Sequence, residues 1–146
     1  MTFSITVDKR GKKVLADIPK HLKKHRRGLN QALYEIGTLV GRETDRILTS
    51  GRRTGRLYMF RGSPHRASAF GEPPANRSGR LVRSYDYKVS GWHTLRVGEG
   101  APYAKFLELG TKFMKPRQHL ILAINNKAGD TLNAFLRYTN GEIKRV

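Results

Sequence analysis

Apolar residues recur at Leu22, Leu29, Leu33, Ile36, Val40 and Ile47, with spacings of 7, 4, 3, 4 and 7. That is one face of an α-helix. Asp17 is placed to cap it, Pro19 to occupy its first turn and Ser50-Gly51 to end it. About 30 residues at 1.5 Å each give a helix of roughly 45 Å. Gly37 and Gly41 each weaken it by about 1 kcal/mol relative to Ala, so they mark close packing of another element or a bend.

Other stretches carry the strand period. Phe3, Ile5 and Val7 alternate with Ser4 and Thr6, and Asp8 to Lys13 supplies a polar turn, which predicts a short N-terminal strand. Ser78 is placed as the N-cap of a short helix opening at Gly79-Arg80-Leu81-Val82. Tyr85, Tyr87 and Val89 then alternate, as do His93, Leu95 and Val97, and Ser90-Gly91 between them predicts a β-hairpin. In Ala101 to Thr111, Pro102 suits the start of a helix and Gly110 its end. Tyr103, Phe106 and Leu107 share one face of it and are expected to pack inside the subunit, leaving Glu108 and Thr111 at a seam. Ile121, Ile124, Ala128, Leu132 and Phe135 predict a last amphipathic helix ending at Asn140-Gly141. Asn125-Asn126 and Gly129-Asp130 make its middle prone to break. The fold class expected is α+β, with a long N-terminal helix and a C-terminal helix packed on a small antiparallel sheet that contains a hairpin.

Between Gly51 and Arg77 no period survives, and arginines are scattered among Gly and Pro. This predicts a long mobile basic loop or arm, 51–77, within a single domain, 1–146. Leu57, Tyr58, Met59 and Phe60 form an apolar knot in it that favours ordering against a partner, and Pro73-Pro74 stiffens its end.

Charge changes the picture. Lys and Arg number 29 against 11 Asp and Glu, a formal net charge of +18. Such a field attracts polyanions and makes free subunits repel one another. Lys20, Lys23, Lys24, Arg26 and Arg27 are the candidate polyanion contacts, the alternative being a solvated helix end. Cysteine is absent, which excludes disulfides and thiolate chemistry. Met1 to Val7 lacks the pattern of an export signal and no apolar run reaches membrane-spanning length, so neither export nor membrane insertion is expected.

Catalytic chemistry is hard to assemble from this chain. The carboxylates are spread singly, and no phosphate-binding loop, nucleophile elbow or metalloprotease motif occurs. His65, His93 and His119 read as surface or packing histidines, and His21 and His25 sit among cations that oppose a metal ion. No enzyme activity, cofactor or metal is expected.

Two stretches carry a resemblance: Ala67-Ser68-Ala69-Phe70-Gly71-Glu72-Pro73-Pro74-Ala75-Asn76-Arg77-Ser78-Gly79-Arg80-Leu81, and Ala101-Pro102-Tyr103-Ala104-Lys105-Phe106-Leu107-Glu108-Leu109-Gly110-Thr111. In this order they resemble the head–tail morphogenesis proteins of long-tailed bacteriophages, the neck or tail-completion family, over about residues 15 to 138. Phe70 stands where that family usually has proline, and Pro116-Arg117-Gln118 replaces its Arg-Pro-Phe. The resemblance implies a structural virion protein at the head–tail junction, assembled in the host bacterial cytoplasm. It implies a homo-oligomeric ring, hexamer or dodecamer, that joins the capsid connector to the tail-tube proteins while viral DNA passes through. Its expected interface residues are Arg52, Arg53, Arg56, Leu57, Tyr58, Phe60, Arg61, Glu72, Pro73, Pro74, Glu108, Thr111 and Arg117, with a Glu108–Arg117 pair after Gly110. The alternative is a basic module that contacts duplex DNA non-specifically, with Tyr58, Phe60 and Arg61 interleaving aromatic and basic groups.

Overall fold

The computed structural model describes residues 2–6, 22–91 and 93–143. The expected helix cap at Asp17, with Pro19, Lys20 and His21, lies outside them, as do Val7, the turn from Asp8 to Lys13, and Trp92. The fold is α+β. In chain order come strand β1 (Thr2–Thr6), helix α1 (Leu22–Thr49), strands β2 (Leu57–Phe60) and β3 (Ser63–Arg66), a single 3-10 turn (Val82–Ser84), strands β4 (Tyr85–Ser90) and β5 (Thr94–Glu99), and helices α2 (Ala104–Leu109), α3 (Leu120–Asn126) and α4 (Ala128–Ile143). A three-stranded sheet has the order β1-β5-β4, and β2 pairs with β3 in a second sheet.

The chain forms two compact units. One contains the described residues of Thr2–Leu39, Tyr87–Val97 and Lys127–Val146; the other contains Val40–Asp86 and Gly98–Asn126. In the first, Leu29, Ala32, Leu33, Ile36, Leu95, Val97 and Ala134 are buried. The glycines of α1 are explained by what touches them. A Cβ on Gly37 would lie 2.4 Å from the Tyr87 ring of β4, and one on Gly28 would lie 2.9 Å from the Tyr138 carbonyl of α4. Tyr87 also meets Tyr34 edge-on at 6.3 Å and shares a 3.2 Å hydrogen bond with Thr38. Arg137 donates to Glu35 at 3.0 Å, a second tie between α4 and α1.

In the second unit Gly41 repeats the device, since a Cβ there would lie 2.6 Å from the Tyr85 ring. Leu48, Leu81, Ala101 and Ala104 form its apolar cluster, with Val82 and Leu107 packed against it. Glu43 is buried at the inner face of α1, where it accepts from Arg46 at 2.6 and 2.8 Å and from Asn126 at 2.9 Å.

Three expectations need correction. The last helix does break in its weak middle, at Lys127, but the face expected to be buried is not the one that is: Leu120, Ala123 and Ala134 are buried, while Ala128 and Leu132 are exposed. Its helical run passes Asn140-Gly141 and ends at Ile143. The stretch from Gly51 to Arg77 is not featureless, because its centre is the β2–β3 hairpin. Its turn, Arg61-Gly62, takes positive φ at both central residues, 49° and 78°, the twist that a two-residue hairpin turn requires. Finally, Tyr103 and Phe106 are 38% and 45% exposed, so the face expected inside the subunit is largely outside. The short helix turns Ala104 and Glu108 inward instead.

Candidate functional site: a basic cleft beside the hairpin

In the hairpin, Tyr58 faces His65 and Phe60 faces Ser63 across the ladder. Strand alternation puts Tyr58 and Phe60 on one half-buried face and leaves Leu57 and Met59 exposed on the other. The Tyr58 and His65 rings meet edge-on at 5.3 Å, and the Arg77 guanidinium lies 4.4 Å from the centre of the Phe60 ring.

The hairpin's base is held by one carboxylate. Glu72 accepts from the Thr54 amide at 3.1 Å, the Thr54 hydroxyl at 2.5 Å and the Ala69 amide at 2.8 Å. These hydrogen bonds, the Thr54 hydroxyl first, pull its pKa down to about 2. Arg53 closes the end of α1, donating to the Ile47 carbonyl at 2.7 Å and to the Pro74 carbonyl at 3.2 Å, where a cation suits the helix dipole.

After Pro74 the chain turns at Asn76, whose side-chain oxygen accepts from the Gly79 amide at 2.8 Å. Gly79 needs its freedom there, with φ of 71° and the Arg83 guanidinium 2.5 Å from where a Cβ would sit. The Ser78 hydroxyl, expected as the cap, accepts only from Arg80 at 3.4 Å. Arg117 then joins the two motif stretches: its guanidinium donates to the Ser68 hydroxyl at 2.7 Å and its amide to the Leu107 carbonyl at 2.7 Å.

These segments enclose a cleft of about 380 Å³. Leu48, Leu81 and Leu107 give it an apolar floor, and Arg77, Arg80 and Arg117 line it with guanidinium groups. A cleft of this size with an apolar floor and a few convergent polar groups has the make-up of a binding site.

Beneath the second motif lies a buried ionic trio that sequence reasoning missed. Glu108 does not pair with Arg117 and does not face a seam; it is 1% exposed. Its carboxylate accepts from the amides of His119, Leu120 and Ile121 at 3.0, 2.6 and 2.9 Å, capping the start of α3, where an anion is favoured. The His119 ring, 0% exposed, holds Glu99 through Nε2 at 2.7 Å and lies 3.8 Å from Glu108 through Nδ1. Burial pushes the imidazole pKa down, but the Glu99 hydrogen bond and charge, with Glu108 and the Arg117 carbonyl, raise it above its ordinary value. The carboxylates therefore do not all stand singly. The trio fastens β5 and α2 to the start of α3. One signal was available: the inward period Leu95, Val97 continues to Glu99, and a carboxylate on a buried strand face requires a partner.

Of the other expected interface residues, Arg52, Arg56, Leu57, Arg61 and Thr111 are exposed, and Tyr58, Phe60 and Pro73 are half-buried. Arg53, Glu72 and buried Pro74 are occupied inside the chain, because the hairpin base needs them. Arg26 and Arg27 are exposed on the first turns of α1 and are not among the residues that line the cleft. No protein-family model matches this chain, and no curated protein or solved structure matches it either.

Proposed function

We propose that this chain is a structural virion protein of the bacteriophage head–tail junction, a neck or tail-completion subunit. It forms a closed ring that joins the capsid connector to the tail and works without catalysis. The observation that carries this reading is the ordered pair of motifs, Ala67 to Leu81 and Ala101 to Thr111, which resemble that family. What supports it is that the motif residues share one folding task. Glu72 clasps the hairpin base, Leu81, Ala101 and Ala104 make one apolar cluster, and Glu108 caps α3.

A ring needs a patch on each subunit that meets a different patch on the next. The exposed Leu57 and Met59 face of the hairpin supplies one, and the exposed Phe106 and Leu109 of α2 supply another. The test is a phage that carries this gene with residues 57–66 replaced by a short glycine link. The cut closes without strain, since the Ala67 amide already bonds the Arg56 carbonyl at 2.9 Å. Filled heads and separate tails by electron microscopy are expected. Normal virions would overturn the reading.

The alternative, a module that binds duplex DNA through charge, is favoured by one observation. Arg52, Arg56 and Arg61 are exposed on the hairpin arm, and none forms a salt bridge among the described residues. In that case affinity for duplex DNA falls steeply with salt, by about 0.9 log units per log unit of salt for each phosphate contacted. A ring subunit that only lets DNA pass shows weak binding that vanishes at moderate salt.

A further inference from the structure

The cleft beside the hairpin carries positive charge that the fold leaves unneutralised. Arg80 has no side-chain hydrogen bond and no ion pair among the described residues, Arg77 rests on the Phe60 ring, and Arg117 is held by the neutral Ser68 hydroxyl. Four carboxylates of the same unit are committed to other partners. Glu43 serves Arg46 and Asn126, Glu72 the hairpin base, and Glu99 and Glu108 the buried histidine. Beneath the guanidinium groups the floor is apolar, and Tyr103 adds a half-exposed ring at its side.

From this combination we infer that the cleft receives an acidic, partly apolar segment of a different protein, with its carboxylates on Arg77, Arg80 and Arg117 and its apolar side chains on the leucine floor. Guanidinium groups suit carboxylates because their paired N–H groups match both oxygens. Duplex DNA fits the site poorly: its backbone presents phosphates but nothing apolar to fill the floor, and a space of about 380 Å³ admits a few side chains rather than a double helix. A second copy of this chain fits poorly too, since at a net charge of +18 each copy repels the other at long range and offers only 11 carboxylates against 29 Lys and Arg. The inference does not rest on the ring reading. A basic cleft of this kind takes such a segment whether or not the chain forms a ring.

The test is fluorescence anisotropy with a labelled peptide of about ten residues that alternates Glu with Leu and Phe, at about 0.15 M salt. Saturable binding is expected, weakening about tenfold or more in the double variant Arg77→Gln/Arg80→Gln, which removes two charge-assisted contacts. The control Arg26→Gln/Arg27→Gln loses the same charge at residues that do not line the cleft and should stay within about twofold. Tyr103→Ala, which keeps every charge, should weaken binding several-fold and remains informative if the arginine variant misfolds. A glutamate-only peptide of the same length should bind more weakly than the mixed one. Equal losses in both arginine pairs, an equally tight glutamate-only peptide, or no saturable binding would overturn the inference. Displacement of the peptide by a short oligothymidylate at lower concentration would also overturn it and assign the cleft to single-stranded nucleic acid.

Discussion

His119 shows how much one side chain decides. It is wholly buried between Glu99 and Glu108, and although burial pushes its pKa down, the Glu99 hydrogen bond and the neighbouring carboxylates raise it above the ordinary value. Removing the imidazole strips the buried Glu99 carboxylate of this partner, and His119→Ala is expected to cost roughly 3–5 kcal/mol of stability, read from urea unfolding. The pH dependence has a definite sign. The folded-state pKa lies above the ordinary 6.5, so the contribution is complete below pH 6.5 and disappears as pH rises through the folded value. The wild type should therefore lose stability on the alkaline side relative to His119→Ala; parallel profiles would mean that the imidazole is neutral in the fold. Glu72 runs the opposite way. Its carboxylate sits at about 2 against an ordinary 4.5, so its grip on the hairpin base is complete above pH 4.5 and is released as pH falls through about 2. Amide exchange at Thr54 and Ala69 should accelerate in Glu72→Gln at neutral pH, and unchanged protection would show that the clasp is dispensable.

At the scale of elements, α1 is a helix whose glycines are seats for rings. Ala in place of Gly37 would gain about 1 kcal/mol of helix propensity, yet its Cβ would sit 2.4 Å from the Tyr87 ring. Overpacking of this kind costs about 1–3 kcal/mol, so Gly37→Ala should destabilise on balance, and thermal unfolding measures which term wins. A raised melting temperature would mean that Tyr87 swings away freely. The end of α2 obeys a similar constraint. Gly110 has φ 75° and ψ −176°, a region closed to residues with a side chain, and a Cβ there would lie 2.6 Å from the Met114 carbonyl. The chain can leave α2 toward Thr111 and Met114 only because that residue is glycine, and this exit brings the backbone of His119 back onto Glu108.

For the whole molecule, charge is the governing property. A net +18 on 146 residues opposes self-association at long range, and salt shortens that range from about 10 Å at 0.1 M to about 3 Å at 1 M. If the chain assembles through its exposed apolar faces, sedimentation should show a larger oligomer fraction as salt rises. A fraction that falls with salt would place ion pairs, not apolar contacts, at the subunit interface.

The sequence by itself determined the elements whose period is long and regular. Leu29, Leu33, Ile36, Val40 and Ile47 are buried along α1, and Leu95 and Val97 along β5, because repeated burial of one face leaves the same mark in any context. It also marked the weak middle of the last helix and the stop at Gly110. The β2–β3 hairpin was hidden, since its turn is Arg61-Gly62 rather than Asn-Gly and a proline stands in its second strand. Only the tertiary structure decided where the ions go. Glu99, Glu108 and His119 are separated along the chain and meet only when β5, α2 and α3 come together. Whether a lone carboxylate is solvated, caps a helix or neutralises a buried histidine depends on what is packed against it, and no local pattern of residues encodes that.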